Sequence, residues 1–304
     1  MSKFRKLGAG LLGIGLLAGL ILPQSASAQT LERIKKADTI KLGFIDRAAP
    51  YSYLGADGKP SGYAIEVCQV VVDAIKFKLA QPALKVSYVA LKAEDAEETV
   101  SQGGVDLLCT ATVETLKRRE RMSYSIPVVS GGIGVLLRGD AAQSLRDVLS
   151  GKPARSGPVW RGTTNGGLSN HTYAVRGGTV TEAWVREQTR RLGVTVNAIT
   201  VDDYGKGIEL VRARQADAFF GERALLKDYV QRNKLSGEVL VLERRFAAEP
   251  LALAMGRNED DLRLLVDGAL SRLLKSPDFA TLYERHFGPL DEASRLIYTG
   301  FALP

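Results

Sequence analysis

The chain has 304 residues, 45% hydrophobic and 25% charged, with a formal net charge of +7. This is the composition of an ordinary globular protein, and no segment is low-complexity, which excludes a fibrous repeat. The excess of positive charge is mild and sits in scattered pairs (Arg118-Arg119, Arg190-Arg191, Arg244-Arg245) without interleaved aromatics, which argues for solvated surface and against a nucleic-acid groove.

Lys3, Arg5 and Lys6 precede an uncharged run over residues 7–22, and Ala26-Ser27-Ala28 follows with the small side chains a signal peptidase needs. The run is 16 residues long, short of the roughly 18 that read as a spanning helix. A secretory signal over 1–28, cleaved near Ala28, is therefore expected, and with it a periplasmic protein. The segment carries three basic residues and no acidic one, so the remaining 276 residues hold a formal +4. That length allows two lobes, each with its own core.

Apolar periodicity then predicts a strand over 40–45, turns over 50–62, a helix over 63–79, a strand over 86–91, a helix over 93–102 and a strand over 105–110. A strand over 133–137 ends at Arg138-Gly139-Asp140, which reads as the exit from a first lobe. After a short helix over 144–149 and a loop over 151–171 rich in Gly, Pro, Asn, Ser and Thr, the alternation restarts. Strands are expected over 172–176, 195–201 and 216–220, and helices over 181–192, 204–213 and 223–233. Strands over 238–242 and 251–254 and helices over 260–274 and 279–287 close the chain.

Alternating strands and helices specify an α/β fold with mostly parallel sheets flanked by helices. The last helices lack partners in the second lobe, so the chain is expected to cross back near 245–249, making a two-strand hinge. The expected division is 29–137 for the first part of lobe 1, 138–246 for lobe 2, and 247–304 for the return and a tail that packs through Leu296, Ile297 and Phe301. Cys68 and Cys109 are the only cysteines. In an oxidising compartment, with two well-separated histidines as the only other soft ligands, a disulfide is favoured over a metal site; two buried free thiols are the alternative.

Several segments in order resemble family 3 periplasmic solute-binding proteins, which feed amino acids to ABC importers. They are Ile40-Lys41-Leu42-Gly43, Ala49-Pro50-Tyr51-Ser52-Tyr53, Gly62-Tyr63-Ala64-Ile65-Glu66, Gly104-Val105-Asp106-Leu107-Leu108 and Thr115-Leu116-Lys117-Arg118-Arg119 leading into Tyr124-Ser125-Ile126-Pro127. The series continues through Gly178-Thr179-Val180-Thr181-Glu182, Ala216-Asp217-Ala218-Phe219-Phe220-Gly221-Glu222 and Tyr283-Glu284-Arg285-His286-Phe287-Gly288. The resemblance is closest to the glutamate/aspartate branch. It implies a two-lobed periplasmic binding protein fold, a free amino acid as ligand, an ABC permease as partner, a monomer, and neither cofactor nor metal.

A zwitterion in a closed cleft needs a cation and an anion facing it, or a buried charge is left unpaired. The resemblance assigns its carboxylate to Arg118, a planar guanidinium that can grip it with two parallel bonds, with the adjacent Arg119 as the alternative, and its ammonium to Glu222, where relatives usually carry Asp. Read without the resemblance, Arg118 is a surface arginine and Glu222 a helix N-terminal acid. Thr110 and Thr112 follow a strand, where ligands of open α/β sheets bind, while Ala111 and Val113 lack the hydroxyls many relatives have.

Thr179 and Thr181 open a helix whose N–H groups can hold a carboxylate, or they simply cap it. Gly162-Thr163-Thr164 looks similar but follows no strand. Tyr204 matches a position that touches the ligand side chain in acidic-ligand binders. Arg47 is two positions from the arginine expected of such a binder, and Ile45 and Ala48 stand where relatives place polar or stacking residues. The rival functions are a cyclohexadienyl dehydratase-like enzyme on the same fold, with Glu222 as general acid or base, and a ligand-sensing interaction protein. No catalytic residue is assigned in the main reading.

Overall fold

The structure, a computed structural model, describes residues 29–152 and 167–304. The expected signal, the Gly162-Thr163-Thr164 motif and most of the 151–171 loop lie outside the described residues. Among those described, no helix is long and apolar enough to cross a membrane.

The first lobe begins with α1 (Gln29–Ala37), β1 (Thr39–Ile45) and a small hairpin of β2 (Tyr53–Leu54) and β3 (Pro60–Ser61). Then come α2 (Tyr63–Leu79), β4 (Lys85–Leu91), α3 (Ala96–Ser101), β5 (Leu107–Val113) and the single turn α4 (Leu116–Arg119). β1 pairs in parallel with β4 and β5, as expected where helices cross over between strands. The fold is thus α/β and two-lobed.

The next strand, β6 (Met122–Arg138), is the spine of the molecule. It pairs antiparallel with β11 (Ala248–Gly256) from Met122 to Gly132, and from Ile133 to Leu137 with β9 (Ala218–Glu222). The change of partner falls between Gly132 and Ile133, before the turn residues at Arg138-Gly139-Asp140 that suggested the exit. Pro127 hides the first half of this strand from sequence reading, because proline is disfavoured inside a sheet. It is tolerated because the register with β11 shifts beside it, between Leu251 and Ala252.

The second lobe holds α5 (Gln143–Ser150), β7 (Thr172–Arg176), α6 (Val180–Leu192), β8 (Asn197–Val201), α7 (Tyr204–Arg212), β9, α8 (Arg223–Arg232) and β10 (Val239–Val241). β7 runs parallel to β8 and β9. The return runs beside β6: Leu242 N–H donates to Val135 O at 3.0 Å, Phe246 N–H to Ile133 O at 2.9 Å, and Ile133 N–H to Ala247 O at 3.1 Å. Gly132 permits this approach, since a Cβ there would stand 2.3 Å from Ala247 O.

α9 (Asp260–Lys275), α10 (Asp278–Phe287) and α11 (Glu292–Phe301) return to the first lobe. Its core joins Leu42, Tyr63, Val67, Leu253, Leu270 and Phe279. The second lobe has a core on each face of its sheet, around Phe219 and Leu226 on one and Tyr173 and Phe220 on the other. Each such side chain contributes about 1.5–3 kcal/mol by leaving water.

The Cys68–Cys109 disulfide is present and ties α2 to β5. The tail packs differently from expectation. Leu296 and Ile297 are 73% and 45% exposed, and the anchor is Tyr298, 3% exposed, whose hydroxyl accepts from Ser130 N–H at 3.1 Å. Tyr298 and Phe301, three residues apart on α11, share the face turned to the lobe.

Candidate ligand-binding cleft

A cleft of 720 Å³ lies between the lobes, at the carboxyl ends of β1, β5, β7, β8 and β9. This is where open parallel sheets present free backbone groups and loops. Thr110, Thr112 and Arg118 line it from the first lobe, and Thr179, Thr181, Tyr204 and Glu222 from the second. Residues chosen far apart in the chain thus meet at one place.

Arg47 does not join them. After Ile45 the chain turns, and the Asp46 carboxylate accepts from Arg47 N–H at 2.8 Å and Leu54 N–H at 3.0 Å. Within this turn Arg47 is exposed, with a left-handed φ of 65°, and the lining is left to Ile45, Ala48 and Tyr51.

Arg118 is half-buried on α4. Thr115 caps that turn by accepting from Arg118 N–H at 3.1 Å. The guanidinium Nη1 donates to Val113 O at 2.8 Å and Nε lies 3.6 Å from Glu97 Oε2. These two contacts, from different sides of the fork, fix its aim, and donors remain for a carboxylate.

Thr110 is buried, and Thr112 donates its hydroxyl to Thr110 O at 3.4 Å. Both lie inside β5 rather than beyond its end, because β11 pairs alongside as far as Val113. Part of the backbone expected to be open to ligand is therefore taken by the ladder.

Across the cleft, Thr179 caps α6: its Oγ1 accepts from Glu182 N–H at 3.2 Å and donates to Arg176 O at 2.8 Å. Glu182 reaches back to accept from Gly178 N–H, one residue before the cap, at 2.8 Å, a bond akin to that of a capping box. The plain capping role is thus real, and it positions the helix end. The first N–H groups of a helix have no partner inside it, and Val180 and Thr181 line the cleft at that end.

Glu222 is half-buried at the end of β9 and caps α8, accepting from Leu225 N–H at 3.0 Å and, on its other oxygen, from Gly132 N–H at 3.4 Å. Burial raises its carboxyl pKa above the ordinary glutamate value, against the opposing pull of those N–H donors. Tyr204 accepts from Glu222 N–H at 2.8 Å, so its own O–H proton is free for another acceptor.

Sequence reading missed four cleft carboxylates, Glu94, Glu97, Asp202 and Glu249, and one guanidinium, Arg176. Glu249 lies on β11 opposite Gly131 of the hinge, Glu97 sits on α3, and Arg176 ends β7. A signal existed for two of them. Glu249 falls in the expected return crossing, and Arg176 precedes Gly177-Gly178 at the carboxyl end of a parallel strand.

The sequence profile of the bacterial extracellular solute-binding proteins, family 3, matches residues 40–289. The chain belongs to this family. Among curated relatives, an L-glutamate/L-aspartate-binding protein of Pseudomonas aeruginosa is 24% identical over 93% of this chain and 88% of its own length. A solved ABC uptake transporter substrate binding protein from Streptococcus pneumoniae with bound histidine superposes with a TM-score of 0.68 at 16% identity, covering 87% of this chain and 97% of that one. An ancestral amino acid-binding protein, a precursor of cyclohexadienyl dehydratase, gives 0.66 at 20% identity over 85% and 99%. At such identities the solved structures establish the shared fold.

Proposed function

We propose that this family 3 protein is exported, with its signal removed near Ala28, and works as a monomeric periplasmic receptor. It takes one free amino acid between its lobes and delivers it to an ABC permease. The supporting observation is that a half-buried guanidinium, Arg118, and a half-buried carboxylate, Glu222, come from different lobes and line one cleft. In this reading Arg118 and the α6 N-terminus hold the α-carboxylate, Glu222 receives the α-ammonium, and Thr110, Thr112 and Tyr204 complete the lining.

Function follows from closure. A ligand shifts an open–closed equilibrium only by its differential affinity for the closed state, and contacts from both lobes exist together only when the cleft is shut. The relatives named for glutamate, aspartate and histidine, and the importer named in one of them, support this reading.

A dehydratase is the second reading, favoured by the raised Glu222 carboxyl, which suits a proton donor. A thermal-shift screen of protein refolded free of solute separates the two, using the common amino acids with prephenate and arogenate. At 100 times its dissociation constant a ligand stabilises the native state by about 2.7 kcal/mol. A shift with amino acids and no turnover is expected; product from prephenate or arogenate would establish the enzyme.

A further inference from the structure

The lining of the cleft carries more negative charge than a neutral amino acid can satisfy. Glu94, Glu97, Asp202, Glu222 and Glu249 face it, against the guanidiniums of Arg118 and Arg176. Part of this is settled internally: Glu97 lies 3.6 Å from Arg118 and 3.7 Å from Arg121. Arg176 donates its Nε to the Asp202 backbone O at 3.0 Å, and the Glu94 and Asp202 carboxylates are exposed to water. Glu249 is different. Its carboxylate makes no hydrogen bond or ion pair among the described residues, although it is half-buried at the hinge.

The sheet fixes the relation of Glu249 to Glu222. Glu249 pairs with Gly131 and Glu222 with Ile133, on opposite flanks of β6. Gly131 and Ile133 are two residues apart, so both glutamates project from the same face of the hinge, with Cα atoms about 12 Å apart by strand spacing and rise. Between the lobes they present two separate carboxylates. Tyr51, 2% exposed, also lines this wall, with its buried hydroxyl beside the Glu222 carboxylate.

We propose that the solute carries a second positive charge, as a diamino or guanidino acid does, with its α-ammonium on Glu222 and its side-chain cation on Glu249. This rests on the amino acid receptor reading. A neutral side chain would seal Glu249 into a closed cleft without a partner, and an acidic one would add a carboxylate to a lining already net negative. Burial and the neighbouring Glu222 push the Glu249 carboxyl above its ordinary value, against the opposing pull of Arg118.

The test is calorimetric titration of the solute-free protein with lysine, ornithine and arginine, with their neutral counterparts norleucine and citrulline, and with glutamate. Basic ligands are expected to bind on the order of thirtyfold or more tighter than the neutral ones, and Glu249→Gln to bring the lysine-to-norleucine ratio toward one. Tight binding of neutral or acidic amino acids with no preference for basic ones overturns the proposal and leaves the receptor reading standing. A basic preference that survives in Glu249→Gln overturns the role of Glu249. Failure of every amino acid to bind overturns the receptor reading itself.

Discussion

The Tyr204 hydroxyl accepts a hydrogen bond from the backbone N–H of Glu222 at 2.8 Å. The contact joins the start of α7 to the end of β9, and holds the tyrosine beside the carboxylate proposed to receive ligand. Tyr204→Phe leaves that N–H without its partner, a loss of about 1–3 kcal/mol. Urea unfolding should show it, together with weaker ligand binding. A variant as stable as the parent would mean that water replaces the hydroxyl.

Glu222 and Glu249 set a pH dependence. Burial is the first cause of the upward shift at both. An acid raised in the folded state holds its proton more firmly there than in the unfolded chain. Its stabilising contribution is therefore present below the ordinary glutamate value of 4.5 and is lost as pH rises through the raised value. Receiving a cation requires the ionised form, so affinity should climb with pH over the same window and binding should release protons. Calorimetry in two buffers of different ionisation enthalpy reads that release; equal heats in both would contradict the assignment.

The disulfide closes a sequence separation of 41 residues. The chain-entropy model then gives about 4 kcal/mol of stabilisation. Denaturation with and without reductant should differ by an amount of that order, with the loss concentrated in the first lobe, where α2 and β5 are tied. A difference below about 1 kcal/mol would show that the reduced chain keeps those elements together by packing alone.

Gly132 is the close point between the two hinge strands. Alanine there places a Cβ 2.3 Å from Ala247 O, so the backbones must separate. Gly132→Ala is expected to cost about 1–3 kcal/mol, the range for overpacking, and to weaken ligand binding, because Gly132 N–H also donates to Glu222. Thermal melts with and without ligand separate the two effects. Unchanged melts in both conditions would mean the hinge is wider in solution.

Much of the cleft was legible because local signals mark it. Thr179 and Glu182 announce a helix start by their spacing, Arg118 precedes the Tyr124-Ser125-Ile126-Pro127 segment that carries the resemblance, and Glu222 ends an apolar strand. What escaped depends on partners far along the chain. Whether Thr112 stands in a strand or a loop is decided by Ala252 of β11, and whether Pro127 is allowed in β6 is decided by a register shift in that same partner. Glu249 carries no local motif, and only the pairing of β11 with Gly131 brings it to the wall of the cleft. Arg47 misled in the opposite direction, since the Asp46 turn that keeps it at the surface is a side-chain effect invisible to alignment of types.

The central claim is that one solute is held by groups from both lobes. Calorimetric titration of the parent, Arg118→Ala and Glu222→Ala with the best ligand tests it most directly, with circular dichroism to show that each variant is folded. Charged hydrogen bonds contribute roughly 1.5–3 kcal/mol each, so each variant should lose at least about tenfold in affinity and most binding should disappear. If both folded variants bound as tightly as the parent, the ligand would not lie between Arg118 and Glu222.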